Sequence, residues 1–277
     1  MHRIYVCVLC LLSPRQVLMM PARLPLLEDL AEQYSGTDKA RDDHKFVDLY
    51  GMMLDPIRKR ARNVTEIGIA YGLSLEIWNA FFPNADIWGI DLALSPIVKR
   101  RLRGKSRIHL LTADSTDCKM ISELGFANES MDVIVDDGPH WAEANEKLLS
   151  CMWPTLRPGG FYFIEDVQTG TGDDRLMRKF QRGTPIPTSH FGQAALVHAA
   201  STRSKEVERI LQENDCFFAD TAVGHRAWDR YQAATPTATI DRVNHNSHVL
   251  VIRKRVDGPR SRPIRVHSEK LAARRAG

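Results

Sequence analysis

From Val64 to Glu165 the chain alternates five short apolar runs with segments of helical spacing, and this rhythm restricts the fold more than any other feature. Val64–Ile69, Ile87–Asp91, Ile108–Thr112, Met131–Asp136 and Phe161–Glu165 read as strands. Between them, Leu73–Phe81, Ser95–Arg103, Thr116–Leu124 and Ala142–Leu156 read as helices, the last ended by Arg157-Pro158-Gly159-Gly160. Strands covered on both faces carry continuous apolar runs, and a helix between each pair returns the chain so that neighbours lie parallel. The expected architecture is α/β, a mostly parallel sheet with helices on both faces.

The flanks add to this frame. Leu26–Tyr34 and His44–Leu54 have helical spacing, the second stopped by Asp55-Pro56. Glu206–Asn214 reads as a helix, and Cys216–Asp220 and His248–Ile252 as two more strands. Gln168–Gln193 breaks the rhythm with Gly, Thr and Pro, and a loop of that length is a lid, a binding loop or disordered. Its Asp173, Asp174 and His190 are read as solvated loop residues with a second reading as substrate contacts. The expected organisation is a leader or disordered extension over 1–25, one domain over 26–256 and a basic disordered tail over 257–277.

Charge and cysteine usage narrow the partners. The 277 residues carry a net +4, but Arg253–Gly277 alone holds nine basic and two acidic groups, so the remainder is mildly acidic. Such a tail can bind phosphates nonspecifically, which keeps an RNA-binding alternative open, while the acidic body argues against a polyanion partner. The apolar run Ile4–Leu12 after Arg3 is too short to span a bilayer, so no membrane role is expected. Cys7, Cys10, Cys118, Cys151 and Cys216 show no zinc-site spacing and are read as incidental thiols of a reducing, cytoplasmic compartment.

The chemistry gathers where strands end. Asp132-Val133-Ile134-Val135-Asp136-Asp137-Gly138-Pro139-His140 is an apolar run that delivers two carboxylates and an imidazole into the crevice where open α/β sheets bind ligands. Phe161–Ile164 ends likewise in Glu165-Asp166. The first strand runs into Glu66-Ile67-Gly68-Ile69-Ala70-Tyr71-Gly72, an imperfect nucleotide fingerprint that also fits an ordinary strand-to-helix turn. Asp91, a little over 20 residues after Gly68, is placed to accept from ribose hydroxyls, and Asp114, beside Ser115, to touch an adenine. Each of the two also fits a cap or a turn. No regular Gly-x-Gly-x-x-Gly supports a nicotinamide oxidoreductase. Trp78, Trp141 and Trp153 are read as core residues.

Taken together, Glu66–Gly72, Asp91, Asp114 and the Asp136 strand resemble the motif series of class I S-adenosylmethionine-dependent methyltransferases. Gly36-Thr37-Asp38-Lys39 with His44, Ser74-Leu75, Trp78, Phe82-Pro83-Asn84-Ala85, Gly89-Ile90-Asp91, Asp136-Asp137-Gly138-Pro139-His140, Pro158-Gly159-Gly160 and Ile164-Glu165-Asp166 resemble one subgroup. That subgroup is the metal-dependent sugar O-methyltransferases of macrolide biosynthesis, with the related cephalosporin hydroxylase family. This chain departs from it at Ala70, which replaces a common glycine, and at Pro139, which replaces a common serine.

The resemblance implies a Rossmann-like, seven-stranded methyltransferase fold, with Glu66, Gly68, Asp91, Asp114, Ser115 and Asp136 binding S-adenosyl-L-methionine. It implies that Asp137, Glu165 and Asp166 bind a divalent metal, that His140 is the general base, and that Lys39 and His44 close the pocket. Three carboxylates without a nearby cysteine independently suit a hard cation such as Mg²⁺. The expected reaction is methylation of a hydroxyl on a sugar or glycosylated natural product, a small-molecule acceptor. The alternative is a cephalosporin-hydroxylase-like modification, for which no iron-type set of two histidines and a carboxylate is apparent. The resembling enzymes are oligomers, so a homo-oligomer through the N-terminal helices stays open, as does an RNA methyltransferase using the basic tail.

Overall fold

The computed structural model describes residues 24–34, 36–37, 39, 46–140, 142–166, 204–220 and 248–258. The expectations placed on the N-terminal run with Cys7 and Cys10, on Asp38, His44 and Trp141, on the Gln168–Gln193 loop and on the basic tail lie outside the described residues.

Seven strands form one sheet among the described residues. They are β1 (Asn63–Ile67), β2 (Asp86–Asp91), β3 (Ile108–Thr112), β4 (Met131–Asp136), β5 (Leu156–Ile164), β6 (Asp215–Asp220) and β7 (His248–Arg253). Their order is β3-β2-β1-β4-β5-β7-β6. The first five run parallel, and β7 lies antiparallel to both β5 and β6. The order reverses between β1 and β4, and a crevice opens at such a switch point beyond the strands' carboxyl ends.

Alternation along the strands divides the core. On one face Val64, Val133, Val135, Phe161, Phe163 and Val251 pack beneath helices α1 (Leu27–Gln33), α2 (Phe46–Leu54) and α3 (Leu73–Phe81). On the other, Ile67, Ile134, Tyr162, Ile164, Leu250 and Ile252 meet α5 (Cys118–Glu123), α6 (Ala142–Met152) and α7 (Lys205–Glu213). Helix α4 (Pro96–Arg101) contributes Val98 to the first layer. Helices therefore cover both faces, as the apolar runs demand. Trp78 and Trp153 are buried in these cores, as expected.

Three expectations need correction. Arg157–Gly160 does not form a turn but begins β5. Gly159 donates its N–H to the Lys254 carbonyl (2.7 Å) and Lys254 donates to the Gly160 carbonyl (3.0 Å), so pairing with a segment far along the chain overrides the local turn signal. Helix α5 starts at Cys118 rather than Thr116, because the Asp117 side chain caps it by accepting from Lys119 N–H (2.9 Å). And Cys118 and Cys151 are not incidental thiols: a disulfide joins them between α5 and α6, with Cα atoms 5.5 Å apart.

Candidate active site at the carboxyl ends of the strands

Two loops cross at the switch point, and their contact explains the first glycine. A Cβ on Gly68 would lie 1.9 Å from the Asp137 carbonyl oxygen, and the residue has φ +83°. Only glycine satisfies both constraints. Asp137 N–H donates to Ile67 C=O (2.8 Å) and Glu165 N–H to Asp136 C=O (2.9 Å), so the ends of β1, β4 and β5 are stitched side by side. Gly68 thus serves the approach of one loop to another, an effect its place in a nucleotide fingerprint does not reveal.

The next position carries a cost. Ala70 takes φ 42° in the same loop, where a side chain is disfavoured by about 1 kcal/mol. Asp91, at the end of β2, accepts from the N–H groups of Ile69 (3.0 Å) and Ala93 (3.2 Å), fixing this loop from the neighbouring strand. Asp114 accepts from both the Thr116 N–H (2.8 Å) and hydroxyl (2.7 Å), which hold its carboxyl below the usual range and close the turn after β3. Ser115 follows, half-buried, with its hydroxyl 3.6 Å from the point where a Cβ on Gly138 would stand.

Beneath the crevice lies a buried charge cluster. The Lys39 ammonium sits 2.7 Å from Asp137 Oδ2, 2.7 Å from Glu165 Oε2 and 3.4 Å from Glu66 Oε1. The Tyr50 hydroxyl, from α2, donates to Glu165 Oε1. Trp78 Nε1, from α3, donates to Glu66 Oε2 (3.1 Å). Burial raises the Glu66 carboxyl to about 7 despite the neighbouring lysine. Burial and the Asp137 charge likewise push Glu165 well above the carboxylate range, against the pull of Lys39 and Tyr50. Asp136 is lifted to about 7 by burial; its Oδ1 accepts from Gly138 N–H (3.3 Å), while Oδ2 has no hydrogen-bond partner among the described residues.

A second group faces the crevice. Asp137, His140 and Asp166 each offer one donor atom, and the three atoms lie within 4.8 Å of one another. His140 Nε2 is 3.7 Å from Asp137 Oδ1 and 3.9 Å from Asp166 Oδ2. These separations are too long for hydrogen bonds, yet suit donors around one small cation with bonds of about 2.1 Å. His140 (φ 58°) and Asp166 (φ 49°) both adopt left-handed backbone, the kind of strain that concentrates at functional sites. The donor set, two carboxylates and an imidazole, fits Mg²⁺ or Mn²⁺.

The structure therefore brings Glu66, Asp136, Asp137, His140, Glu165 and Asp166 together, with Gly68 at the crossing of the loops. It turns Glu165 toward Lys39 and Tyr50, and gathers His140 with the other two expected metal ligands. Tyr50 was legible only as an apolar position on the inner stripe of α2. Nothing in its spacing signals a hydroxyl aimed at a carboxylate.

With this geometry in hand, comparisons with known proteins are informative. Residues 65–167 match a family described as a methyltransferase domain, and they lie in the Rossmann-like α/β sheet. The chain is 34% identical over 153 residues to the 8-demethyl-8-alpha-L-rhamnosyl tetracenomycin-C 2'-O-methyltransferase of Streptomyces olivaceus, covering 53% of this chain and 39% of that protein. It is 29% identical over 155 residues to the mycinamicin VI 2''-O-methyltransferase of Micromonospora griseorubida, covering 53% and 37%. It thus spans about two-fifths of the length of these curated relatives. The methyltransferase MycE of the mycinamycin biosynthetic pathway, solved in complex with Mg and SAH, shares its fold: TM-score 0.55, 24% identity, 84% of this chain and 55% of that one. Among the described residues, no helix is long and apolar enough to cross a membrane.

Proposed function

We propose that this protein is an S-adenosyl-L-methionine-dependent, Mg²⁺-assisted O-methyltransferase acting on a hydroxyl of a sugar or glycosylated small molecule. The observation that carries this reading is the convergence of Asp137, His140 and Asp166 at the ends of β4 and β5, inside the segment that matches a methyltransferase domain. The naming of the relatives as sugar O-methyltransferases supports the acceptor class.

In this reading the crevice over Gly68 receives the methyl donor, with Asp91 toward its ribose, Asp114 and Ser115 toward its base, and Glu66 and Asp136 beneath. Asp137 and Asp166 hold the divalent ion, with Glu165 behind them. When bound there, such an ion would supply Lewis acidity toward the acceptor hydroxyl. His140 Nε2 takes the hydroxyl proton as the methyl group passes from the donor's sulfonium to the oxygen. Its ring is one-fifth exposed and stands beside Asp137 and Asp166. Alignment of donor and acceptor by the rigid strand ends provides much of the acceleration.

A second assignment is favoured by one distance set: Nε2 lies with the oxygens of Asp137 and Asp166, so His140 can itself be a ligand. Titration calorimetry separates the possibilities. S-adenosyl-L-methionine is expected to bind the purified protein, and Mg²⁺ to give its own isotherm, lost in D137A and on adding EDTA. An H140A variant that keeps the Mg²⁺ isotherm but loses transfer to glycosylated acceptors supports the base; loss of the isotherm supports the ligand. No donor binding under any condition overturns the enzyme reading.

A further inference from the structure

The pocket gathers more carboxyl groups than a single small cation needs as ligands. Glu66, Asp137, Glu165 and Asp166 converge on a small volume, all buried or nearly so. Within it the Lys39 side chain, only 3% exposed, reaches in from the N-terminal segment and touches three of the four carboxylates. An ammonium surrounded in this way is itself a cation in a cation site.

Asp137 shows how the space is shared. Its Oδ2 lies 2.7 Å from the ammonium, whereas its Oδ1 faces His140 and the group that includes Asp166. One carboxylate thus bridges two cation positions. That is the arrangement of two-metal sites, where ions stand about 3.5–4 Å apart across shared ligands. Here one of the positions is filled by a nitrogen tethered to the backbone. Lysine suits the task because its charge is compact: it donates to Asp137 and Glu165 and stands 3.4 Å from Glu66 as an ion pair.

We propose that Lys39 is a built-in substitute for a second divalent ion, limiting the pocket to one exchangeable cation and setting how tightly that cation is held. The proposal rests on the reading of Asp137, Asp166 and their neighbours as a divalent-cation site. Glu165 then acts as the lysine's anchor, with Tyr50 fixing its other oxygen. Lys39 is a positioning residue in this scheme, because it works through Asp137 and Glu165.

Mn²⁺, followed by the electron paramagnetic resonance of the free ion and by calorimetry, is the probe. The wild type is expected to bind one Mn²⁺ up to millimolar concentration. Lys39→Met is expected either to take up a second ion or to bind the first at least fivefold more tightly, while Lys39→Arg, which keeps the charge, remains at one ion. One ion bound by Lys39→Met with less than a fivefold change overturns the proposal and leaves the metal reading standing. No Mn²⁺ bound by the wild type or by Lys39→Met overturns both. Two ions in the wild type overturn the proposal without any variant, and Lys39→Gln, which removes the charge but keeps a polar side chain, is read by the same criteria if Lys39→Met fails to fold. Far-UV circular dichroism establishes whether it folds.

Discussion

The two ends of the parallel sheet handle charge in opposite ways. At the amino ends, Asp132 is buried at the start of β4, and the chain supplies its partners. Arg62 N–H (2.7 Å) and Asn63 N–H (3.0 Å) donate to Oδ2, and the Arg157 guanidinium lies 2.5 Å from Oδ1. At the carboxyl ends, several acids share one lysine and two carboxyls are lifted to about 7; Asp132 Oδ1 lacks a hydrogen bond but has the Arg157 guanidinium as its ion pair, whereas His140 Nδ1 and Asp136 Oδ2 have neither among the described residues. Buried polar groups left in that state are expensive, and they persist where something outside the chain completes them. One end is built for the fold. The other is built for what binds.

Substitutions at the two ends are therefore expected to give opposite results. Asp132→Ala strands Arg157 and two backbone donors, and is expected to lower stability by about 3 kcal/mol in urea denaturation without altering Mn²⁺ affinity. An altered affinity would break the division. Asp166→Asn is the mirror image: Mn²⁺ binding weakened on the order of 100-fold by calorimetry, with the metal-free protein no less stable. A large stability loss with binding retained would assign Asp166 to the fold instead.

A pH series sharpens the contrast. Glu66 is raised to about 7 when folded, so the folded protein binds an extra proton between the ordinary glutamate range and about 7. Stability of the metal-free protein falls as pH rises through that window, because the unfolded chain releases the proton first. Glu66→Gln removes this penalty, and its advantage over wild type is expected to grow by roughly 3 kcal/mol from pH 4 to pH 8 in thermal melts. An advantage that shrinks with pH contradicts the assignment. The smallest effect is at the crossing loop: Ala70→Gly relieves a left-handed alanine and is expected to stabilise by up to about 1 kcal/mol, read from the same melts.

How much of this was legible in the sequence depends on the range of the forces involved. The run at β4 announces itself because a strand buried on both faces must be apolar throughout, and Met131–Asp136 falls where the pattern puts it, as does the half-buried edge strand Ile108–Thr112. The placing of Asp136, Asp137, Glu165 and Asp166 at one crevice follows from strand order alone. The direction in which Glu165 points does not. It is decided by Lys39, 126 residues away, and by a hydroxyl on α2. The same holds for the Cys118–Cys151 pairing and for the start of β5, both settled by partners distant in the chain. Local periodicity reports burial, and it is silent about which distant group answers a buried charge.

The position of β7 has a consequence for synthesis. This strand lies between β5 and β6 and hydrogen-bonds to both. About 80 residues separate the end of β5 from its start. A ribosome adding about 5–20 residues per second leaves the β5 margin without its neighbour for roughly 4–16 s after it emerges. During that interval Phe161–Ile164 presents an apolar, unpaired strand edge of the kind that recruits other chains. Yield in the cell is then governed by how quickly the last strand arrives, and a nascent chain stalled before His248 is the form most exposed to aggregation.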